Sequence, residues 1–530
     1  MSALNPSCKR AAAVLILLAS MAGTATAQNR VETQAAARLG MNLAAPSDYA
    51  TELPFVDVFR TARPWISQRK GAAWGTGPKL AIDAWGWVTS LQPSCYAEAL
   101  LCTIPDGHYP SGTYTVYYEG EGKLGFSDNV TIRDDQPGKL LIGVDSSKGG
   151  FSLRIHATSA KTPIRNIRVI MPGFEQTWRE HPFHPAFLKR WQGMTCFRFM
   201  DWMATNDSPV KTWSDRPTPA HATFSRRGVA VEWMVSLCNK TGVNPWFCMP
   251  HRADNEFVRM FAQTVKESLG PARQVYVEYS NEVWNGQFKQ NKYAQEQGVA
   301  LGLEAPRRRY QAAQRFASHR SVQIFKIWEE VFRGTERLIR VLPSHSGNSA
   351  VSENILGFRE AAKHADALAV APYMPFTVGR GRLKDLGEQL ADMTVDQLLD
   401  RFEESALQRS LQRMDRDKAM ADKHGLKLIA YEGGQHMTAS GRNREFTTRL
   451  LAKMREANRH PRMREMYRKY FDHWAAIGGD TFAVFTSIQR WNKYGSWGVA
   501  EFYDSKRSDY PKYDAVLEWA SRAGQAMVKD

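Results

Sequence analysis

The chain has 530 residues, 43% of them apolar and 23% charged. That balance excludes a disordered or low-complexity chain and leaves room for a large core and two or three domains. The formal net charge of +16 suits an acidic polysaccharide or an anionic envelope, and equally a merely solvated basic surface. No recognition-helix, zinc-finger or RNA-binding signature accompanies it, so nucleic acid is not an expected partner.

At the start, Lys9 and Arg10 precede the apolar run AAAVLILLASMAG, and Ala25-Thr26-Ala27 has the small-x-small form of a cleavage site. Residues 1–27 read as an export signal, which predicts a periplasmic or secreted protein. The run is too short to span a bilayer comfortably, and no later segment is long and apolar enough, so no membrane span is expected once the signal is removed. Of the six cysteines, Cys8 belongs to the signal. Cys95 and Cys102 lie close together in an exported chain, either bridged or as two thiols. Cys196 and Cys248 sit in apolar runs and read as buried thiols. No Cys/His cluster has zinc spacing, and neither a metal nor a cofactor is expected.

A first strand is predicted in ARLGMNLA, near residues 37–44. The stretch from 77 to 172 then changes character. It is turn-rich, and GTYTVYYEGEGKLGFS, NVTIRD, KLLIGV, FSLRIHA and IRNIRVIM alternate like strands of an antiparallel sheet. After HPFHPAFLKRW, a helix, the chain alternates strand and helix. The strands are MTCFRFM, NPWFCMP, QVYVEYS, RLIRVLPS, ALAVAPY, LKLIAYE and TFAVFTS. The helices include long tracts over about 292–332 and 395–424. Eight strands separated by helices predict an α/β fold, a (β/α)8 TIM barrel of parallel strands. The barrel is expected from 28–76 and 173–530, with an all-β sandwich-like domain, 77–172, inserted after the first strand. That insertion point opens on the face where barrel active sites lie.

In such a barrel, polar residues at the carboxyl ends of the strands meet in one mouth. The stretch VYVEYSNEVWN ends strand four with Asn281 and Glu282. Glu432 ends strand seven in LIAYEGGQH. Two acids that converge suit glycoside hydrolysis with retention, where one protonates the leaving oxygen and the other attacks the anomeric carbon, about 5–5.5 Å apart. Glu278 lies in mid-strand and reads as a buried, paired acid.

The fourth-strand SNE and the seventh-strand YEGG resemble glycoside hydrolase clan A, the retaining (β/α)8 enzymes that include the family 5 cellulases and mannanases. The resemblance covers the barrel and leaves out the insert. It implies that Glu282 is the general acid/base, Glu432 the nucleophile, and Asn281 a partner of the sugar 2-hydroxyl. It implies that Arg198, in CFRFMDW, orients and ionises the nucleophile. Tyr373, closing strand six in VAPYM, is in the position to bond the nucleophile or the developing oxocarbenium ion. Trp491, in SIQRWN, stands where the clan often places an aromatic platform. His251, closing strand three in CMPH, is a candidate for a hydroxyl contact. Asp201 and Trp202 are weaker candidates for the cleft wall, and Trp85, Trp284 and Trp497 for stacking. Ala371-Pro372-Tyr373 departs from the family 5 His-x-Tyr.

The expected function is an exported retaining glycoside hydrolase that cleaves a β-linked polysaccharide or oligosaccharide by double displacement. A carbohydrate-binding protein without chemistry, or a transglycosylase on the same scaffold, are the alternatives. No G-x-S-x-G elbow supports a serine hydrolase.

Overall fold

The computed structural model describes residues 37–379, 387–439 and 444–528. The export segment expected at 1–27 lies outside the described residues. Eight parallel strands close a barrel. They are β1 (Arg38–Asn42), β2 (Cys196–Arg198), β3 (Asn244–Met249), β4 (Val275–Tyr279), β5 (Leu338–Pro343), β6 (Ala367–Val370), β7 (Lys427–Ala430) and β8 (Thr481–Val484). Each pairs with the next, and β8 returns to β1 with Arg38 opposite Thr481.

The two-residue period of a strand decides which side chains enter the barrel. In β4, Val275, Val277 and Tyr279 pack outward against the helices, while Tyr276 turns inward beside Trp246, Cys248, Ile429 and Tyr431. Glu278 shares the inward phase of Tyr276 and is fully buried. Arg198 follows Cys196 by the same period and is also fully buried.

The surrounding helices form where apolar residues recur on one stripe. In Asn255–Ser268 the stripe is Phe257, Val258, Phe261, Ala262 and Val265, and Asp254 caps the helix by accepting from Phe257 N at 2.8 Å. The tract expected over 292–332 is two helices, Lys289–Ala300 and Arg309–Phe332. Gly302 takes a left-handed φ of 64° just past the first, and Pro306 cannot continue a helix, so the chain breaks between them. Sequence periodicity also missed a short parallel pair, Met374–Val378 with Gln435–Ala439, which stands beyond the carboxyl ends of β6 and β7.

Between β1 and the helix Pro185–Trp191 lie two four-stranded antiparallel sheets. One orders Ile66–Arg69, Cys95–Leu101, Phe151–Thr158 and Gly122–Phe126; the other orders Arg165–Ile170, Gly112–Glu119, Lys139–Val144 and Val130–Gln136. Val116, Ile142, Leu153 and Ile155 are among the residues of their shared core. Antiparallel pairing already begins at Ile66, ahead of position 77. The entering and leaving chains are pinned together by bridges Phe55–Phe183 and Asp57–Ile170. Cys95 and Cys102 stand at opposite ends of one extended strand and are free thiols. Seven residues of strand separate them by about 20 Å, far beyond the reach of a disulfide. No helix among the described residues is long and apolar enough to cross a membrane.

Candidate active site

The mouth of the barrel is organised by one buried cation. Arg198 donates Nε and Nη2 to the two oxygens of Glu278, both at 3.0 Å. Its Nη1 reaches Glu432 Oε1 at 2.9 Å and Asn42 Oδ1 at 3.2 Å, and its Nη2 also reaches Asn281 Oδ1 at 2.9 Å. The guanidinium lies 5.0 Å from the Tyr431 ring centroid. Strands β1, β2, β4 and β7 are thus tied at one point. A buried arginine is tolerable only if its charge is matched and its donors are used, and both conditions hold here.

Glu432 follows the end of β7 and is 5% exposed. Besides Arg198 it accepts from the Tyr373 hydroxyl at 2.9 Å. Burial raises its pKa; Arg198 and the Tyr373 bond pull it back toward the ionised form. Glu282 is different. It keeps part of its surface open to the mouth, and among the described residues its donors are neutral, Asn285 Nδ2 at 2.9 Å and the Tyr431 hydroxyl at 3.2 Å. Burial first, then the nearby charge of Glu432, push its pKa up to about 7. Two neighbouring carboxyls therefore have unlike environments, one on a cation and one on neutral donors.

The loop that carries Glu282 is strained. Ser280 and Glu282 both take left-handed backbone, with φ of 58° and 40°, which costs about 1–3 kcal/mol each in a residue with a side chain. The intervening Asn281 holds the bend. Its side chain meets Arg198 and Asn206, and its carbonyl accepts from Gln290 Nε2 at 2.9 Å. Gln290 also donates to Asn206 Oδ1 at 2.7 Å. The polar cluster SNE is therefore a reversal, fixed from three sides, that swings Glu282 out of the strand direction and into the mouth.

Four of the residues singled out in the sequence, besides Glu282, meet in one network: Asn281, Arg198, Tyr373 and Glu432. Two do not. Trp491 is 2% exposed; its Nε1 donates to Gly498 O at 2.8 Å, and Arg459 and Lys512 lie against its ring. It packs into the wall, because the chain after β8 turns back before that residue. Trp497 is the indole at the mouth, part-exposed and edge-on to Tyr373 at 5.8 Å and His436 at 4.8 Å. His251 is 4% exposed, packs on Tyr293, and has its buried Nδ1 without a hydrogen-bond partner among the described residues. Burial and Arg252 lower its pKa to about 4, which keeps the ring neutral. No hydrogen bond joins it to either acid among the described residues. Trp202 is buried and donates to Ala44 O, and Trp284 stacks on His345 at 4.2 Å.

Several site residues carried no sequence signal of their own. Asn42 binds Arg198 and donates to the carbonyls of Tyr431 and Ala483 at 2.8 and 3.2 Å. Asn206, Gln290 and Asn285 come from loops and a helix whose positions periodicity does not give. Asp201, already a cleft-wall candidate in the sequence, is held near a pKa of about 7 by burial and then by the charge of Glu432. Among the described residues no group of three or more His, Cys, Asp or Glu is placed to hold a metal ion.

No protein-family model matches this chain, and no curated protein matches it. Among solved structures it is similar to a GH51 arabinofuranosidase from Xanthomonas axonopodis pv. citri, at 13% identity over 58% of this chain and 61% of that one, with a TM-score of 0.33. It is also similar to a 4-O-α-L-rhamnosyl-β-D-glucuronidase from Fusarium oxysporum, at 12% identity over 61% of each chain, TM-score 0.35. A third is xylanase 10B from Thermotoga maritima, at 13% identity over 64% of this chain and 90% of that one, TM-score 0.32. The chain spans about three fifths of the length of the first two.

Proposed function

We propose that this protein is a retaining glycoside hydrolase of clan A, exported from the cell, that cleaves a β-linked polysaccharide. The single observation that carries the reading is the unequal environment of the two acids: Glu432 rests on Arg198 and Tyr373, while Glu282, bonded to the neutral Asn285 and Tyr431 side chains and with no cation in contact among the described residues, has a pKa of about 7. One acid is braced by a cation and a phenol, which favour its anion against the burial that raises its pKa, and the other holds a proton near neutral pH, the division of roles that double displacement requires.

In the first step Glu282 donates its proton to the glycosidic oxygen as Glu432 attacks the anomeric carbon from the opposite face. The C–O bond to the leaving group breaks, and a covalent glycosyl ester forms on Glu432. Forming that ester removes the negative charge next to Glu282, so its pKa falls and it becomes a base for water. The water's proton returns to Glu282, the ester is released, and the anomeric configuration is kept. Arg198 and Tyr373 stay on Glu432 throughout and stabilise it as the leaving carboxylate in the second step. Asn281, fixed by Arg198 and Asn206, is the residue for the 2-hydroxyl, and Trp497 is the aromatic wall.

The test is stereochemical. Proton NMR of the first product, on whichever of β-glucan, mannan, xylan or an acidic exopolysaccharide is cleaved, must show the β-anomer before mutarotation. An α-anomer eliminates double displacement. A 2-fluoro glycoside should label Glu432, as seen by mass spectrometry of the peptide.

A further inference from the structure

The insert has a second built surface, on the side of a sheet turned away from its own core. Along Cys95–Leu101, Ala97, Ala99 and Leu101 face the core, so Tyr96, Glu98 and Leu100 face outward. Along Phe151–Thr158, Leu153 and Ile155 face the core, and Ser152 and Arg154 face outward. Outward residues of a sandwich are ordinarily solvated and separate. Here Glu98 is only 4% exposed. It accepts from Gln68 Nε2 at 2.9 Å, Ser152 Oγ at 2.6 Å and Arg154 Nε at 2.8 Å. Gln68 Oε1 in turn accepts from Gly75 N at 2.8 Å, which holds the loop carrying Trp74 above the sheet edge.

The result is a groove of about 460 Å³ lined by Gln68, Trp74, Tyr96, Glu98, Thr103 and Arg154. Trp74 is 56% exposed and stacks on no other ring among the described residues. Arg154 uses Nε on Glu98 and Nη1 on Phe126 O, yet its side chain stays 26% exposed. None of this network seals the core, which lies on the other side of the sheet. Tyr96 is braced by His156 at 5.3 Å and by the Arg154 guanidinium at 5.9 Å, which leaves the Trp74 indole as the free aromatic face. A fixed polar floor, an open guanidinium edge and a free indole face are the groups that bind pyranose rings, whose C–H faces stack and whose hydroxyls take hydrogen bonds. The charges of Glu98 and Arg154 offset each other, which suits an uncharged ligand.

The groove also reaches the barrel. Thr103 donates its hydroxyl to Asp48 Oδ2 at 2.6 Å, and Asp48 holds Arg63 at 2.7 and 3.1 Å. Asp48 stands in the loop that leaves β1 just after Asn42, the residue that binds Arg198. Its neighbour Tyr49 is 65% exposed.

We propose that this face of the insert is a second carbohydrate-binding site, which takes an uncharged stretch of pyranose polymer and holds it beside the barrel mouth. The identity of the polymer with the hydrolase's own substrate rests on the function proposed above; the binding itself does not.

The test uses the full chain in a Glu432→Gln background, to prevent cleavage. Isothermal titration with soluble β-glucan, glucomannan and arabinoxylan, and with alginate as an acidic control, measures affinity. At least one neutral polymer should bind, and Trp74→Ala should weaken that binding at least tenfold, with Trp74→Phe restoring most of it. Tyr96→Ala should weaken the same polymer. Unchanged affinity in both alanine variants, or no neutral polymer bound, or a Trp74 effect confined to alginate, overturns the proposal. Trp74-dependent binding by a chain whose wild type hydrolyses nothing keeps the site and removes the glycosidase reading. Hydrolysis without Trp74-dependent binding does the reverse.

Discussion

The hydroxyl of Tyr431 donates to Glu282 Oε1 across 3.2 Å, so the residue that precedes one acid grips the other. Tyr431 faces into the barrel and Glu432 follows it into the mouth, so β7 touches both halves of the pair. The same phenol ring lies against the Arg198 guanidinium that holds Glu432. Moving β7 relative to β4 therefore disturbs both acids together.

Tyr431→Phe isolates this contact. The lost bond favours ionised Glu282, so its removal raises a pKa already near 7. In the proposed first step Glu282 must carry its proton, so the basic limb of kcat/KM should move to higher pH by about 0.7 of a unit, given about 1 kcal/mol for one hydrogen bond. A pH–rate profile that does not move, or moves down, removes Tyr431 from this role.

Glu432→Gln should abolish turnover by about 10⁴-fold or more while leaving the barrel folded, because Glu278 still matches Arg198. It also removes the charge that raises Glu282. The Glu282 pKa should therefore fall from about 7, read by carbon NMR of the labelled carboxyl.

The raised Glu282 also makes a stability prediction. A carboxyl whose folded pKa lies above its unfolded value binds more protons when folded, so its contribution to stability is present below about pH 4.5 and lost as pH rises to about 7. Glu282→Gln removes that loss. Chemical denaturation should find the variant about 1–2 kcal/mol more stable than wild type at pH 8, and not at pH 4. Equal differences at the two pH values count against it.

Arg198→Met leaves Glu278 buried in the barrel with no cation. We expect a loss of about 3–5 kcal/mol, the cost of stranding a buried charge, seen as a lower urea midpoint at pH 7. Glu278→Gln with Arg198→Met should recover part of it, which a double-mutant cycle measures.

Cys95 and Cys102 should both react with a thiol reagent in the unfolded chain without reductant. Protection of the pair from labelling contradicts the strand that separates them.

Much of this molecule was readable from residue order. Strand and helix periods, with Gly and Pro at their ends, gave the alternation that builds the barrel, because each unit buries one face and its local pattern must obey its own period. Strand ends pointed to Glu282 and Glu432, the resemblance to clan A added Arg198, Asn281 and Tyr373 as candidates, and the barrel brings the five together because it has one mouth for them to share. What residue order left open depends on how loops return. Trp491 and Trp497 stand six positions apart after β8, and only the packed chain decides that the first is wall and the second faces Tyr373. Asn42, Asn206 and Gln290 become site residues because distant loops close on the strained turn at Glu282. The sequence by itself determined which groups could meet. The tertiary structure decided which of the two acids rests on Arg198 and which on the neutral Asn285 and Tyr431, because burial and neighbouring charge are properties of assembled surroundings and not of position along a chain.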